Sequence, residues 1–316
     1  MKKILLFLVA ALLVASTAFA GKKYVISVTQ IVEHPALDAM RQGVADRLKE
    51  KGIDFDYNVH NAQNNMATNT QIVSQIIGEE PDLVLAIATP GAQACARKIH
   101  DTPIVFTGVT DPVTAGLVKD LKNTDGKNIT GLSDFSPIDK QVALIQELVP
   151  GVKTIGIIYN SGEPNAVPIL KALKEEAAKV GIKVEEATIA NSSGVYQAAK
   201  SLVGRCDAVY VGTDNTVVSA IESAVKVCED NKLPLIVGDV DSVARGAIAA
   251  EAVDYYKMGL QTGDMIARIL VDGVKPADMP VEFLNDLNLH VNMKAAKAMG
   301  VTVPQSVLDR ADKVIE

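Results

Sequence analysis

Apolar and polar residues alternate in blocks along most of the chain, and the blocks switch between two periods. "YVISVTQ", from Tyr24, is strand-like, and the segment from Pro35 to Lys51 after it is amphipathic in the manner of a helix and is stopped by Gly52. "IDFDYNVH" alternates, Met66 to Gly78 is helical in pattern, and "DLVLAIA" and "TPIVFTG" are nearly continuous apolar runs of strand length. Such runs suit strands buried on both faces of a parallel sheet. The same order returns after Pro150: "TIGIIYN", a helix from about Asn165 to Val180 ended by Gly181, "IKVEEATI", a helix from Gly194 to Val203, then "DAVYVGT" and "LPLIVGD". "GAIAAEAVDYYKMGLQTGDMIARIL" adds a strand and a helix from Tyr255 to Leu270 with Gly273 as stop, and the tail from Val281 holds strand-like alternation and a short helix. This plan predicts an α/β protein of two doubly wound parallel-sheet units.

The two units align as "YVISVTQIVEHP" with "TIGIIYNSGEPN", "DLVLAIATP" with "DAVYVGTDN", and "TPIVFTGVTDP" with "LPLIVGDVDS". In each pair the apolar core stops at a corresponding point and polar residues follow. Ligands of open α/β sheets bind beyond the carboxyl ends of strands, so two facing units enclose a cleft lined by these residues. The joint at Thr89-Pro90-Gly91 has a further property. Thr89 is a good N-cap and Pro90 fits a first helical turn, so this helix start is expected to offer free N–H groups to an anion. The competing reading is that every strand-to-helix joint in an α/β protein has this pattern.

The N-terminus changes the setting. Lys2 and Lys3 precede "ILLFLVAALLVA", and Ala18-Phe19-Ala20 precedes an expected cut before Gly21, so residues 1–20 read as a secretory signal peptide. No cysteine follows the cut, which argues against a lipid anchor. The full chain has 316 residues and net charge −7, which becomes −9 once Lys2 and Lys3 are removed. An acidic exported chain without basic clusters is a poor partner for nucleic acid. Cys206 and Cys228 fall at the same edge of a sheet; they either pair in an oxidising compartment, leaving Cys95 free, or are small buried hydrophobes.

With the segments "ISVTQIVEHPALD", "IATPGAQ", "FTGVTDPV", "YNSGEPN", "VGTDNTV" and "VDYYKMG", the mature chain resembles periplasmic solute-binding proteins. More narrowly, it is similar to the ABC-transporter substrate-binding family whose better-known members bind tryptophan, phenylalanine or tyrosine. The resemblance implies a type I periplasmic-binding-protein fold with a three-crossing hinge. One lobe would take residues 22–133 plus 253–280, and the other 134–252 plus 281–316. It also implies a monomer in the periplasm that closes around a small ligand and delivers it to an ABC permease with its ATPase. A branched-chain amino acid or other small solute is the alternative ligand, and docking on a membrane receptor as a sensor is the alternative role.

If the ligand is an amino acid, its carboxylate needs donors, for which the Thr89 hydroxyl, the Gly91 and Ala92 amides and Gln93 are candidates. Its ammonium needs acceptors. Asp239, ending "LPLIVGD", is the first choice, with Glu33, Glu163 and Asp214 as competitors. Asp214 can equally be the N-cap of a helix starting at Asn215. Asn165, Asn215 and Thr216 from one lobe, and Thr29, Gln30, Thr107 and Asp111 from the other, are further candidate contacts. Tyr159 and Phe135 are placed either to pack on a ligand side chain or to fill hinge and core. His34 before Pro35 is expected to shape the loop leading into a helix.

No catalytic set emerges. There is no G-x-S-x-G or H-E-x-x-H, no G-x-G-x-x-G follows the first strand, and His34, His60, His100 and His290 are too scattered for a metal site. The expectation is a binding protein without cofactor or metal.

Overall fold

The computed structural model describes residues 22–123, 126–284 and 286–316; the expected signal peptide lies outside the described residues. The first unit runs β1 (Tyr24–Gln30), α1 (Pro35–Glu50), β2 (Phe55–Asn61), α2 (Met66–Gly78), β3 (Leu83–Ile87), α3 (Thr89–Lys98), β4 (Ile104–Thr107) and β5 (Ile129–Ser133). The second runs α4 (Ile138–Leu148), β6 (Thr154–Asn160), α5 (Ala166–Lys179), β7 (Lys183–Ile189), α6 (Val195–Leu202), β8 (Ala208–Val211), α7 (Asn215–Val218), α8 (Ile221–Asn231), β9 (Leu235–Val237) and β10 (Ala249–Val253). Then come α9 (Tyr255–Leu270), β11 (Glu282–Phe283), β12 (Leu287–Asn292), α10 (Met293–Ala298), α11 (Gln305–Leu308) and β13 (Lys313–Ile315).

Among the described residues the strands form two sheets, ordered β11-β5-β4-β3-β1-β2 and β13-β12-β10-β9-β8-β6-β7. All pairs in the first sheet are parallel, and in the second only β10 with β12 is antiparallel. Each sheet carries its own apolar core: Leu83, Leu85, Ile87 and Phe106 belong to one, and Ile157, Tyr210, Val237 and Ile248 to the other. The continuous apolar runs thus became central strands covered by helices on both faces, which removes their side chains from water.

The chain passes between the lobes three times, and two passages differ from expectation. Glu282–Phe283 pairs with Leu132–Ser133, so the last passage lies between Phe283 and Leu287 rather than at 280. Val253 is still hydrogen-bonded in the second sheet opposite Leu287, although its side chain packs in the first lobe's core. Behind that passage α9 packs on α1 almost backbone to backbone. A Cβ on Gly43 would lie 2.3 Å from the Tyr256 carbonyl oxygen, and one on Gly259 would lie 2.1 Å from that of Met40. Only glycine permits this approach, which ties the second segment of the first lobe to its first.

At the joint after β3, the helix cap is Ala88, not Thr89. Ala88 has φ 71° and ψ 158°, and Thr89 is the first residue of α3. Cys95, Cys206 and Cys228 are all free thiols, and burial pushes Cys95 and Cys228 up to about 12. Cys95 and Cys228 therefore follow the buried-hydrophobe alternative, and Cys206 is half-buried and unpaired. Among the described residues no helix is long and apolar enough to cross a membrane.

Candidate functional site

The carboxyl ends of both sheets face one another across a narrow cleft. From the first lobe, His34, Leu37, Gly108 and Thr110 line it. Asn165, Thr213, Asp214, Asn215, Val218 and Asp239 line the opposite wall, and Asp134 and Tyr255 stand where the chain passes between lobes.

The lobes touch directly. Asn64 Nδ2 donates to Thr216 Oγ1 at 2.8 Å, the Thr110 and Thr213 hydroxyls are 3.5 Å apart, and His34 Nε2 is 3.5 Å from Asn215 Oδ1. His34 also caps α1, accepting from the Leu37 N–H on Nδ1 at 3.5 Å. With Nδ1 an acceptor, Nε2 carries the proton and donates across the cleft. Burial holds the imidazole below its usual pKa, against the pull of Asp239, so the ring is neutral. His34 is thus part of the cleft wall as well as of its loop.

The buried acids have different work. Glu163 accepts from Asn165 Nδ2 at 3.0 Å, from the Asn215 N–H at 3.1 Å and Nδ2 at 2.9 Å, from the Thr216 N–H at 2.7 Å and from the Thr216 hydroxyl. It closes the N-terminus of α7 and leaves little capacity for a ligand. Asp214 caps the same helix, taking the Val217 N–H at 3.0 Å and the Asn160 N–H at 2.6 Å. Burial and then the Glu163 charge push its carboxyl well above the usual range.

Asp239 is the exception. Its Oδ1 accepts from the Ser242 N–H at 2.8 Å and its Oδ2 from the Ser242 hydroxyl at 2.7 Å. It is 2% exposed, and no Lys or Arg lies in the cleft wall described. The nearby Arg245 is held by Glu222 at 2.7 and 2.8 Å. Among the described residues each Asp239 oxygen thus has one donor and keeps a further lone pair, an arrangement suited to a cationic donor.

Asp134 escaped the sequence reading. Its Oδ1 accepts from Thr110 Oγ1 at 3.2 Å and its Oδ2 from Tyr255 Oη at 2.8 Å. Burial pushes its carboxyl up. A folded-state pKa raised above the unfolded one means that Asp134 contributes stability when protonated and loses it as pH rises through the folded value. Asp134→Asn is therefore expected to raise the melting temperature of the ligand-free protein at pH 7.5, with the gain fading toward pH 4. A gain constant across that range would remove the titration of Asp134 as its cause.

Of the candidate ligand contacts named from sequence, Asn165, Asp214, Asn215 and Asp239 line the cleft, and the others have different surroundings. Thr107 accepts from Thr262 Oγ1 at 2.9 Å in the core. Asp111 caps its own turn through the Val113 and Thr114 N–H groups at 3.1 and 3.0 Å. Thr29 is 3.5 Å from Asn69 Oδ1, and Gln30 Nε2 donates to Val32 O at 2.9 Å and Asp38 at 2.8 Å. Gln93 donates to Ala115 O at 3.0 Å, Gly91 packs on Thr29, and Ala92 is in the core. Thr89 is buried with its hydroxyl unpartnered, but it does not line the cleft. Glu33 is exposed. Thr216 Oγ1 already accepts from Asn64 and Asn160. Tyr159 donates to Glu186 at 2.6 Å and lines an adjoining apolar recess, while Phe135 is 43% exposed and does not line the cleft. Several helix starts reach the cleft: that of α1 through Ala36 and Leu37, that of α7 through Asp214 and Asn215, that of α9 through Tyr255, and that of α5 through Asn165 before it.

Two doubly wound lobes, a triple passage between them and a polar cleft at their strand ends define a binding protein of the type I periplasmic-binding-protein class. The model of the ABC transporter substrate binding protein family matches residues 25–315, and the chain belongs to that family. The chain is 40% identical to the tyrosine-binding protein of Clostridioides difficile (strain R20291) over 278 residues, 87% of this chain and 80% of that one. An ABC domain from Streptococcus pneumonia in complex with L-Trp superposes with TM-score 0.87 at 36% identity, covering 92% of this chain and 100% of that one. A ligand-free, open substrate binding protein from Clostridium difficile, at 41% identity over 92% and 99% of the two chains, gives only 0.70. The lower score at higher identity agrees with the direct contacts between lobes: the arrangement here is closed.

Proposed function

We propose that this chain is the extracytoplasmic binding component of an ABC importer, that it takes an aromatic amino acid into the cleft, and that it passes it to a membrane permease coupled to an ATPase. The observation that carries the reading is Asp239: a buried carboxylate that, among the described residues, is hydrogen-bonded only to Ser242, in a closed cleft whose described wall holds no cationic side chain. An ammonium group supplies the missing charge. The first turn of α1, where the Ala36 N–H has no helical partner, offers a donor and the positive end of a helix to the ligand carboxylate. Leu37, Val218 and Tyr255 supply apolar surface. The named ligands of the relatives, tyrosine and L-Trp, supply the aromatic class. The protein acts as a monomeric carrier outside the cytoplasm rather than as an enzyme, and no cofactor enters the reading.

The test is a thermal-shift and calorimetric panel on refolded, ligand-stripped protein. A ligand at a hundred times its dissociation constant adds about 2.7 kcal/mol of stability, an easily read shift. L-Tyr, L-Trp or L-Phe is expected to give it, while D-enantiomers and the decarboxylated amines are not. A shift confined to branched-chain amino acids, or to solutes without an ammonium group, would overturn the reading.

A further inference from the structure

Asn165, the residue before α5, is 3% exposed and lines the cleft. Its Nδ2 donates to Glu163 Oε2 at 3.0 Å and to the Thr213 carbonyl at 2.9 Å. Both partners are acceptors without a proton to give, so the amide cannot be turned end for end. Its Oδ1 is thereby directed away from them, and among the described residues it is buried without a partner. An unpaired buried carbonyl oxygen carries a desolvation cost that a donor on a ligand would offset. Donation to the Glu163 carboxylate also polarises the amide and strengthens Oδ1 as an acceptor.

Two donors on an aromatic amino acid compete for that atom. The ammonium carries a full charge and is drawn to Asp239, which is ionic and has free lone pairs. Asn165 instead adjoins a narrow apolar recess lined by Ile158, Ala166, Ile169 and Gly212, which shares Thr213 and Asp214 with the cleft. A neutral acceptor at the edge of an apolar wall suits the polar tip of an otherwise apolar side chain. We infer that Asn165 Oδ1 accepts a hydrogen bond from the ligand's side chain, a phenol O–H or an indole N–H, and makes the site discriminate tyrosine and tryptophan against phenylalanine. This rests on the aromatic amino-acid reading above.

The experiment is calorimetry on ligand-stripped protein with L-Tyr, L-Trp, L-Phe, 4-amino-L-phenylalanine and 4-fluoro-L-phenylalanine. The last has a group close to hydroxyl size but no proton to donate. Tyr, Trp and the amino compound are expected to bind at least about tenfold tighter than Phe and the fluoro compound, since a missing donor leaves the acceptor unpaired. In Asn165→Ala the affinity for Tyr should fall about tenfold or more while that for Phe changes by less than about twofold. Equal affinity for Tyr and 4-fluoro-L-phenylalanine in the unmodified protein, or equal losses for Tyr and Phe in the variant, overturns the inference while leaving the aromatic reading in place. Binding of none of the five overturns both. Should Asn165→Ala not fold, the analogue series on the unmodified protein decides alone.

Discussion

Asp239→Asn is expected to weaken the binding of an aromatic amino acid by roughly 2–5 kcal/mol, about 30-fold to several thousandfold in dissociation constant. The substitution keeps shape and removes charge. Its amide oxygen still accepts from the Ser242 N–H, the contact that Asp239 Oδ1 makes at 2.8 Å, and the serine hydroxyl can rotate to pair with the amide nitrogen. The turn at Asp241–Val243 therefore keeps its hydrogen bond from the Ser242 N–H to residue 239, and the ligand-free melting temperature should move little. What disappears is the ionic half of the contact with the ligand ammonium, inside a closed cleft where water screens it poorly. Ser242→Ala is the control, because it removes the hydroxyl donor at 2.7 Å and leaves the charge. Calorimetric titration decides: a loss below about tenfold for Asp239→Asn would sink the assignment of Asp239 as the ammonium partner.

The fold could be read from sequence because its signals are local. Continuous apolar runs such as Leu83–Ile87 and Leu235–Val237 have room for one structure only, a strand covered on both sides, and Gly52, with φ 69°, ends α1 where a left-handed residue is needed. The strand-end rule points to Asp239, Asp214, Asn215 and Asn165, which line the cleft, since the carboxyl end of a strand is a local property as well. It would also have found Asp134, directly after β5, had it been applied at the passage between lobes. Which polar groups remain free is not local. Thr107 and Gln93 are spent on Thr262 and Ala115, partners 155 and 22 positions away. Tyr255 reaches Asp134 from 121 positions away, a pairing that only the assembled hinge creates. The cap at Ala88 likewise depends on a positive φ that alanine rarely takes, so propensity pointed to Thr89 instead.

Glu163 gives the sharpest separation between holding a site together and touching the ligand. Its carboxylate sits at the N-terminus of α7 and takes up five donors, from Asn165, Asn215 and Thr216. In effect this lobe fills its own anion site at that helix start, which is why Thr216 and the α7 amides are not free for a ligand carboxylate. Glu163→Ala strands those donors in a place where Glu163 itself is 5% exposed, and should cost roughly 3–5 kcal/mol of folding stability. Binding should fall as well, because Asn165 and Asn215 lose the partner that orients them. Glu163→Gln should be intermediate, since one end of its amide still accepts while the other faces donors. Urea denaturation of ligand-free protein separates the cases. A residue that only met the ligand ammonium would leave that midpoint unchanged and lower affinity alone, whereas a residue that builds the wall lowers both. For Glu163, an unchanged ligand-free midpoint would return it to the list of ligand contacts and leave α7 held by Asp214, which caps it through Val217 at 3.0 Å.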